Sequence, residues 1–139
     1  MKLKKVLPII LTAVILVLQC LPYSVKLIFA GENGERWEHL YSYFSMMPFG
    51  YATFGPILCA MLTCLTLTIL IVYLFKNVDV LLLATSCSGI LAALLSASQF
   101  LYGAKYITPL AIVITVLLLV MAILSLVMYI IDKKIHKSY

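Results

Sequence analysis

Charged side chains are scarce in this 139-residue chain: Asp, Glu, Lys and Arg together make up 11%, where a soluble domain carries about 25%. The long apolar runs contain no Asp, Glu, Arg or His at all. That lack argues against a proton antiporter, because ionisable side chains inside a membrane mark proton relays and coupled transport sites. Histidine is equally sparse. His39 has only Glu35 and Glu38 near it in sequence, and the other histidine, His136, lies at the far end of the chain. No metal set and no nucleophile, base and orienting group can be assembled from these. The cysteines, Cys20, Cys59, Cys64 and Cys87, include no Cys-x-x-Cys pair, which argues against a quinone-linked thiol oxidoreductase. A Cys20–Cys59 bridge is geometrically conceivable; reduced, packed thiols are the default expectation. No cofactor, metal or catalytic residue is expected, and the chain does not read as an enzyme.

Apolar residues fill the space that charge leaves. They make up 65% of the chain, and the mean hydropathy is +1.16. A water-soluble globule of this size has too little interior to hide so much apolar surface, and a disordered chain would be polar. A bilayer core of about 30 Å needs roughly 20 helical residues to cross it. Four runs qualify, at about 6–28, 54–75, 80–102 and 109–131. The expected fold is an all-α integral membrane protein, a four-transmembrane-helix bundle forming one domain over residues 1–139. Lys76-Asn77-Val78-Asp79 is a short polar turn that makes the second and third helices antiparallel neighbours. Gly103 reads as a C-cap, and Thr108 as an N-cap followed by Pro109 at the first helical position.

Orientation follows from Lys and Arg in short loops. Lys2, Lys4, Lys5, Lys76, Lys133, Lys134 and Lys137 fall on one side, and Lys26, Arg36 and Lys105 on the other. Seven against three puts both termini in the cytoplasm and the 31–53 loop outside. The basic ends therefore serve topology; a nucleic-acid partner is not expected. The first run reads as an uncleaved span, since Ile28-Phe29-Ala30 is a poor signal-peptidase site. The lysine-rich short tails suggest a prokaryotic plasma membrane.

In the outer loop, Trp37, Leu40, Tyr41 and Phe44 recur at i, i+3, i+4 and i+7, which predicts a short amphipathic helix lying along the interface. Pro48 should end it. Trp37, Tyr41 and Phe44 are the candidate outer contacts.

The third run carries Thr85, Gly89, Ala92, Ser96, Gln99 and Gly103 at alternating spacings of four and three, a seam that lets helices approach closely in lipid. The second run has a comparable seam through Thr63 and Thr66, and the two are expected to face each other. Leu82 and Leu83 fall opposite the third seam. Gln99 is expected near water at the outer end, and the fourth run reads as a peripheral, lipid-facing helix. The leading functional expectation is a noncatalytic accessory, assembly or interaction module in contact with lipid and with a second copy or a larger membrane protein. The alternative is a small homo-oligomeric channel or transporter for a neutral or hydrophobic solute, with a path along Thr63, Thr66, Ser88, Ser96 and Gln99.

Overall fold

The structure, a computed structural model, describes residues 2–31, 33–45 and 54–137. Helix α1 spans Lys2–Cys20, strands β1 and β2 span Val25–Ala30 and Arg36–Tyr41, and helices α2, α3 and α4 span Gly55–Lys76, Asp79–Ala97 and Pro109–Lys137. Three of the helices are long and apolar enough to cross a membrane: α2, α3 with the 3-10 turn that extends it to Tyr102, and α4. The apolar part of α1 is shorter, Lys5–Cys20, and at 1.5 Å per residue it reaches about 24 Å.

The helices touch in a closed ring, α1 against α2, α2 against α3, α3 against α4 and α4 against α1. The α2–α3 turn, the start of α1 and the last turns of α4 lie at one end of this set, and the hairpin lies at the other. Each boundary has a local cause. Asn77 adopts the left-handed conformation at φ 50° and returns its N–H to Tyr73 O, a residue type that tolerates αL as a helix C-cap. Asp79 then opens α3 with its charge at the positive end of the helix dipole. Thr108 Oγ1 accepts from Ala111 N at 3.0 Å, the N-cap its position suggested. Beyond Pro109 no Gly or Pro interrupts α4, so the helix runs six residues past the end of its apolar stretch.

The first run departs from expectation. The α1 helix stops at Cys20, because Pro22 has no N–H to give and disfavours the helical conformation at Leu21. Ser24 Oγ lies 2.9 Å from Leu18 O and 2.8 Å from Leu21 O, so its one proton is shared between carbonyls the helix end leaves open. The chain then forms β1 instead of continuing as helix to residue 28.

The predicted interfacial helix is not formed among the described residues: Trp37, Leu40 and Tyr41 lie in β2, and Phe44 lies in the turn after it. The strands pair antiparallel, with Val25 opposite Tyr41, Leu27 opposite His39 and Phe29 opposite Trp37. Burial alternates along β1, where Val25 and Leu27 are buried, and a buried alternating strand supplies the partner that an isolated amphipathic helix would lack. Gly34, at φ 77°, provides the left-handed residue in the connecting turn. Lys26 Nζ meets Glu38 Oε2 at 2.7 Å across the pair. His39 lies between Phe29 and Tyr41, with ring centroids 6.1 and 6.0 Å away. Pro48, the expected stop for that helix, lies outside the described residues.

The α4 helix is not peripheral. Ala111, Ile114, Thr115, Leu118, Met121, Ala122 and Ser125 form a buried stripe at helical spacing, and α3 packs on it. Gly89 permits this contact: a Cβ there would lie 2.9 Å from Met121 Cε and 3.1 Å from Ala122 Cβ. Leu82, placed outward by the sequence, is fully buried. The core joins Ile15, Cys59, Ala60, Ala92, Ala93, Ile114, Leu118 and Met121 from the helices to Val25 and Tyr43 from the hairpin end.

Candidate functional site: a buried polar chain beneath the hairpin

The segment after β2 turns Tyr43 inward. Its N–H donates to Gln19 O at 3.0 Å, which holds the turn against the end of α1 and directs the phenol between α3 and α4. There Tyr43 Oη lies 2.8 Å from Ser96 Oγ, Ser96 Oγ lies 2.7 Å from Thr115 Oγ1, and Gln99 Nε2 lies 3.1 Å from Tyr43 Oη. Proton accounting gives the chain a direction. Thr115 Oγ1 donates its one proton to Ala111 O at 2.8 Å. It must therefore accept from Ser96, Ser96 must accept from Tyr43, and Tyr43 must accept from an N–H of Gln99. The same accounting assigns the Gln99 carboxamide: nitrogen faces Tyr43, and Oε1 is left buried with no partner among the described residues.

A second cluster lies closer to α1. Gln19 Nε2 donates to Thr63 Oγ1 at 3.0 Å and approaches Cys59 Sγ at 3.5 Å, while Thr63 Oγ1 donates to Cys59 O at 2.8 Å. Gln19 Oε1 is the other buried acceptor without a partner among the described residues. Further along, Thr66 Oγ1 and Ser88 Oγ meet at 2.8 Å between α2 and α3, and Ser86 Oγ donates to Ala122 O at 3.0 Å between α3 and α4. Thr108 Oγ1 donates to Ser24 O at 2.8 Å, tying the start of α4 to the turn before β1.

The residues singled out by sequence thus separate into several settings. Thr63 and Thr66 face Gln19 and Ser88. Thr85 bonds back to Leu81 O at 2.8 Å, Gly89 and Ala92 are buried, and Ser96 and Gln99 belong to the Tyr43 chain. Gln99 is 3% exposed, not the water-facing side chain expected. Gly103 leaves the seam and sits exposed at φ 106°, with nothing within 4 Å of a Cβ built there. The tighter winding of the 3-10 turn from Ser98 rotates later residues off a seam that depends on 3.5 residues per turn. Trp37 and Phe44 are exposed and Tyr41 is partly buried. They do not share one helix face.

Gln19, Tyr43 and Thr115 complete these clusters and were missed by sequence. Gln19 had a signal, a carboxamide in an apolar run. Tyr43 had none, since it falls off the supposed helical stripe. Burial pushes the Tyr43 phenol up to about 12, with its hydrogen bonds to Ser96 and from Gln99 opposing the rise, so the polar cluster is neutral at physiological pH. All four cysteines are free thiols, Cys59 buried and Cys20 exposed. Among the described residues no group of three His, Cys, Asp or Glu side chains converges. What the arrangement does chemically is hold: it ties the hairpin end to α1, α3 and α4. No family model, curated protein or solved structure matches the chain.

Proposed function

We propose that the chain is a noncatalytic plasma-membrane protein whose four helices form a transmembrane bundle with both termini cytoplasmic, and that it acts as an accessory or assembly subunit for a larger membrane protein. Membrane insertion is supported by the inside-out distribution of side chains. Thr12, Gln19, Thr63, Thr66, Thr85, Ser96 and Ser125 are buried, while Val17, Met61, Leu65, Leu94 and Ile123 stand more than half exposed. In water this arrangement is costly; in lipid, apolar surface outside and polar contacts between helices is the expected pattern.

The observation that carries the accessory reading is where the polar groups are engaged. The seam side chains bond to one another across helices, so they serve the subunit's own packing. The surface left free for a partner is the exposed strand β2 of the hairpin, where Trp37 is 59% and Leu40, on the other face of the strand, 45% exposed. Exposed tryptophan is enriched in contact hot spots. The competing channel reading requires Thr63, Thr66, Ser88, Ser96 and Gln99 to face a path instead of each other.

Native mass spectrometry of the protein purified in mild detergent from its own host tests the proposal. The expected result is a stoichiometric complex with a larger membrane protein that is lost in Trp37→Ala/Leu40→Ala while the subunit still folds. A discrete homo-oligomer with no other subunit, together with solute flux in liposomes that Gln99→Leu and Ser96→Val abolish, would overturn it in favour of the channel.

A further inference from the structure

The hairpin has an open edge. Gly31 N donates to Glu35 O at 2.7 Å beside the turn, and that bond sets the alternation of the antiparallel ladder. With the observed register, Phe29 with Trp37, Leu27 with His39 and Val25 with Tyr41 are then the hydrogen-bonding pairs. The N–H and C=O groups of Arg36, Glu38 and Leu40 point the other way, away from β1, and among the described residues the sheet has no third strand. Every residue from Arg36 to Leu40 is exposed. An exposed edge of this kind is a template for another strand.

The two faces of the sheet differ. Val25 and Leu27 are buried, and Val25 belongs to the core that the helices share. The face that carries them, with Trp37, His39 and Tyr41, is therefore turned toward the bundle. Arg36, Glu38 and Leu40 stand on the opposite face with Lys26. The sheet thus lies across the end of the bundle, and its normal follows the helices. Two identical strands that pair antiparallel, edge to edge, are related by a two-fold axis along that normal. Two copies in one bilayer can meet this way without either being inverted.

Charge selects the alignment. Only positions 36, 38 and 40 can form hydrogen-bonding pairs at this edge. Centring on Trp37 sets Arg36 of each copy opposite Glu38 of the other. Centring on Glu38 sets two carboxylates face to face, and centring on His39 sets Glu38 against Leu40. Opposite charges directly across an antiparallel pair are favourable, and like charges are unfavourable. In the first alignment Glu38 also keeps Lys26, 2.7 Å away, so it stands between a cation of its own hairpin and one of the second copy. The Trp37 side chains meet at a non-hydrogen-bonded site, where cross-strand side chains come closest. We propose that β2 pairs edge to edge with β2 of a second copy, antiparallel and centred on Trp37, through two reciprocal Arg36–Glu38 contacts. The pairing does not depend on the accessory reading: Leu40 lies outside the paired residues, and two paired copies can stand alone or beside a larger protein.

Charge reversal and single cysteines test it in liposomes at low protein density. Only protein that resists alkaline extraction is counted, so a failure to insert is seen apart from a failure to pair. Copies carrying donor or acceptor fluorophores at residue 139 report association by energy transfer. Arg36→Glu alone should weaken self-association about tenfold, because both contacts become repulsive. Lys26→Glu/Glu38→Arg, which keeps the hairpin's own ion pair in reversed sense, should weaken it as much. Mixed together, the two variants should associate within about twofold of wild type, since each then meets its opposite. In a background in which Cys20, Cys59, Cys64 and Cys87 are replaced, Trp37→Cys should form a disulfide-linked dimer, its Cα atoms lying about 4.5 Å apart. Leu40→Cys should not, since the alignment separates its two copies by roughly 20 Å. Variants that associate like wild type, a mixture no better than its components, or cross-linking at position 40 and not at 37 would overturn the pairing.

Discussion

Tyr43 carries more of the hairpin end than any charged residue near it. Its hydroxyl is both acceptor for Gln99 and donor to Ser96, so Tyr43→Phe leaves two buried partners unmatched at once. The expected loss is about 1–3 kcal/mol, read by reversible unfolding in detergent. A pH signature separates this from a plain packing defect. Burial raises the phenol from 10.0 to about 12. Below about pH 10 both folded and unfolded states hold the proton, and stability does not vary through this group. Between about 10 and about 12 the unfolded chain releases the proton while the folded one keeps it, so stability falls as pH rises through that window. Lysines titrate in the same range, but they do so in both proteins, and the difference between wild type and Tyr43→Phe isolates the tyrosine. If the two proteins show the same slope across the window, the phenol is not held as described. By contrast, Glu38→Gln removes a partly exposed ion pair and should cost under about 1 kcal/mol.

At the scale of elements, α3 and α4 depend on the small residue between them. Gly89→Leu places a branched side chain where Met121 and Ala122 already stand. Overpacking of this kind typically costs about 1–3 kcal/mol. The effect should appear in the unfolding of the single subunit, with no change of oligomeric state under native conditions, because the contact is intramolecular. Dissociation of an otherwise stable complex by Gly89→Leu would show instead that this face is shared with a partner. The helices were legible in the sequence because three runs are apolar throughout and bounded by Asn77, Asp79, Thr108 and Pro109, each with a specific terminal geometry. The hairpin was not, for two reasons. Val25 to Ala30 is apolar enough to be absorbed into a preceding span when only hydropathy is counted. Six residues such as Arg36–Tyr41 can satisfy a 3.6-residue spacing and a two-residue alternation together. The alternation of Val25, Leu27 and Phe29 around Lys26, followed by Gly31 to Gly34 and a second aromatic run, is the hairpin signal that was there to be read. The polar clusters were half legible: Thr63, Thr66, Ser96 and Gln99 stood out, but their partners Gln19, Tyr43 and Thr115 become neighbours only through the tertiary fold.

At the scale of the whole molecule, the two ends differ in kind. One end carries the start of α1, the end of α4, the Asn77 turn and most of the lysines, and it is stitched by side chains from three helices, Lys5 to Asn77 and Tyr73 Oη to Asp132 Oδ2 at 2.9 Å. The other carries the hairpin, with Trp37, Tyr23 and Tyr102 exposed around it, a distribution that suits the headgroup level of a bilayer. The lysine bias and this aromatic end both favour the proposed orientation, with the hairpin outside. Single cysteines test it on a background in which Cys20, Cys59, Cys64 and Cys87 are replaced by Ala or Ser. Asn33→Cys sits in the hairpin turn and Asn77→Cys in the opposite turn. In intact cells a membrane-impermeant maleimide should label Asn33→Cys and spare Asn77→Cys until the membrane is opened. Reversed labelling would invert the topology and place the hairpin on the cytoplasmic side. Labelling of both positions in intact cells would mean that α2, the helix between them, does not separate two compartments; the pair leaves open α1, whose apolar helix is the shortest. With only three crossings the termini would lie on opposite sides, and a tag at residue 139 protected from external protease while a tag at residue 1 is cleaved would establish that arrangement.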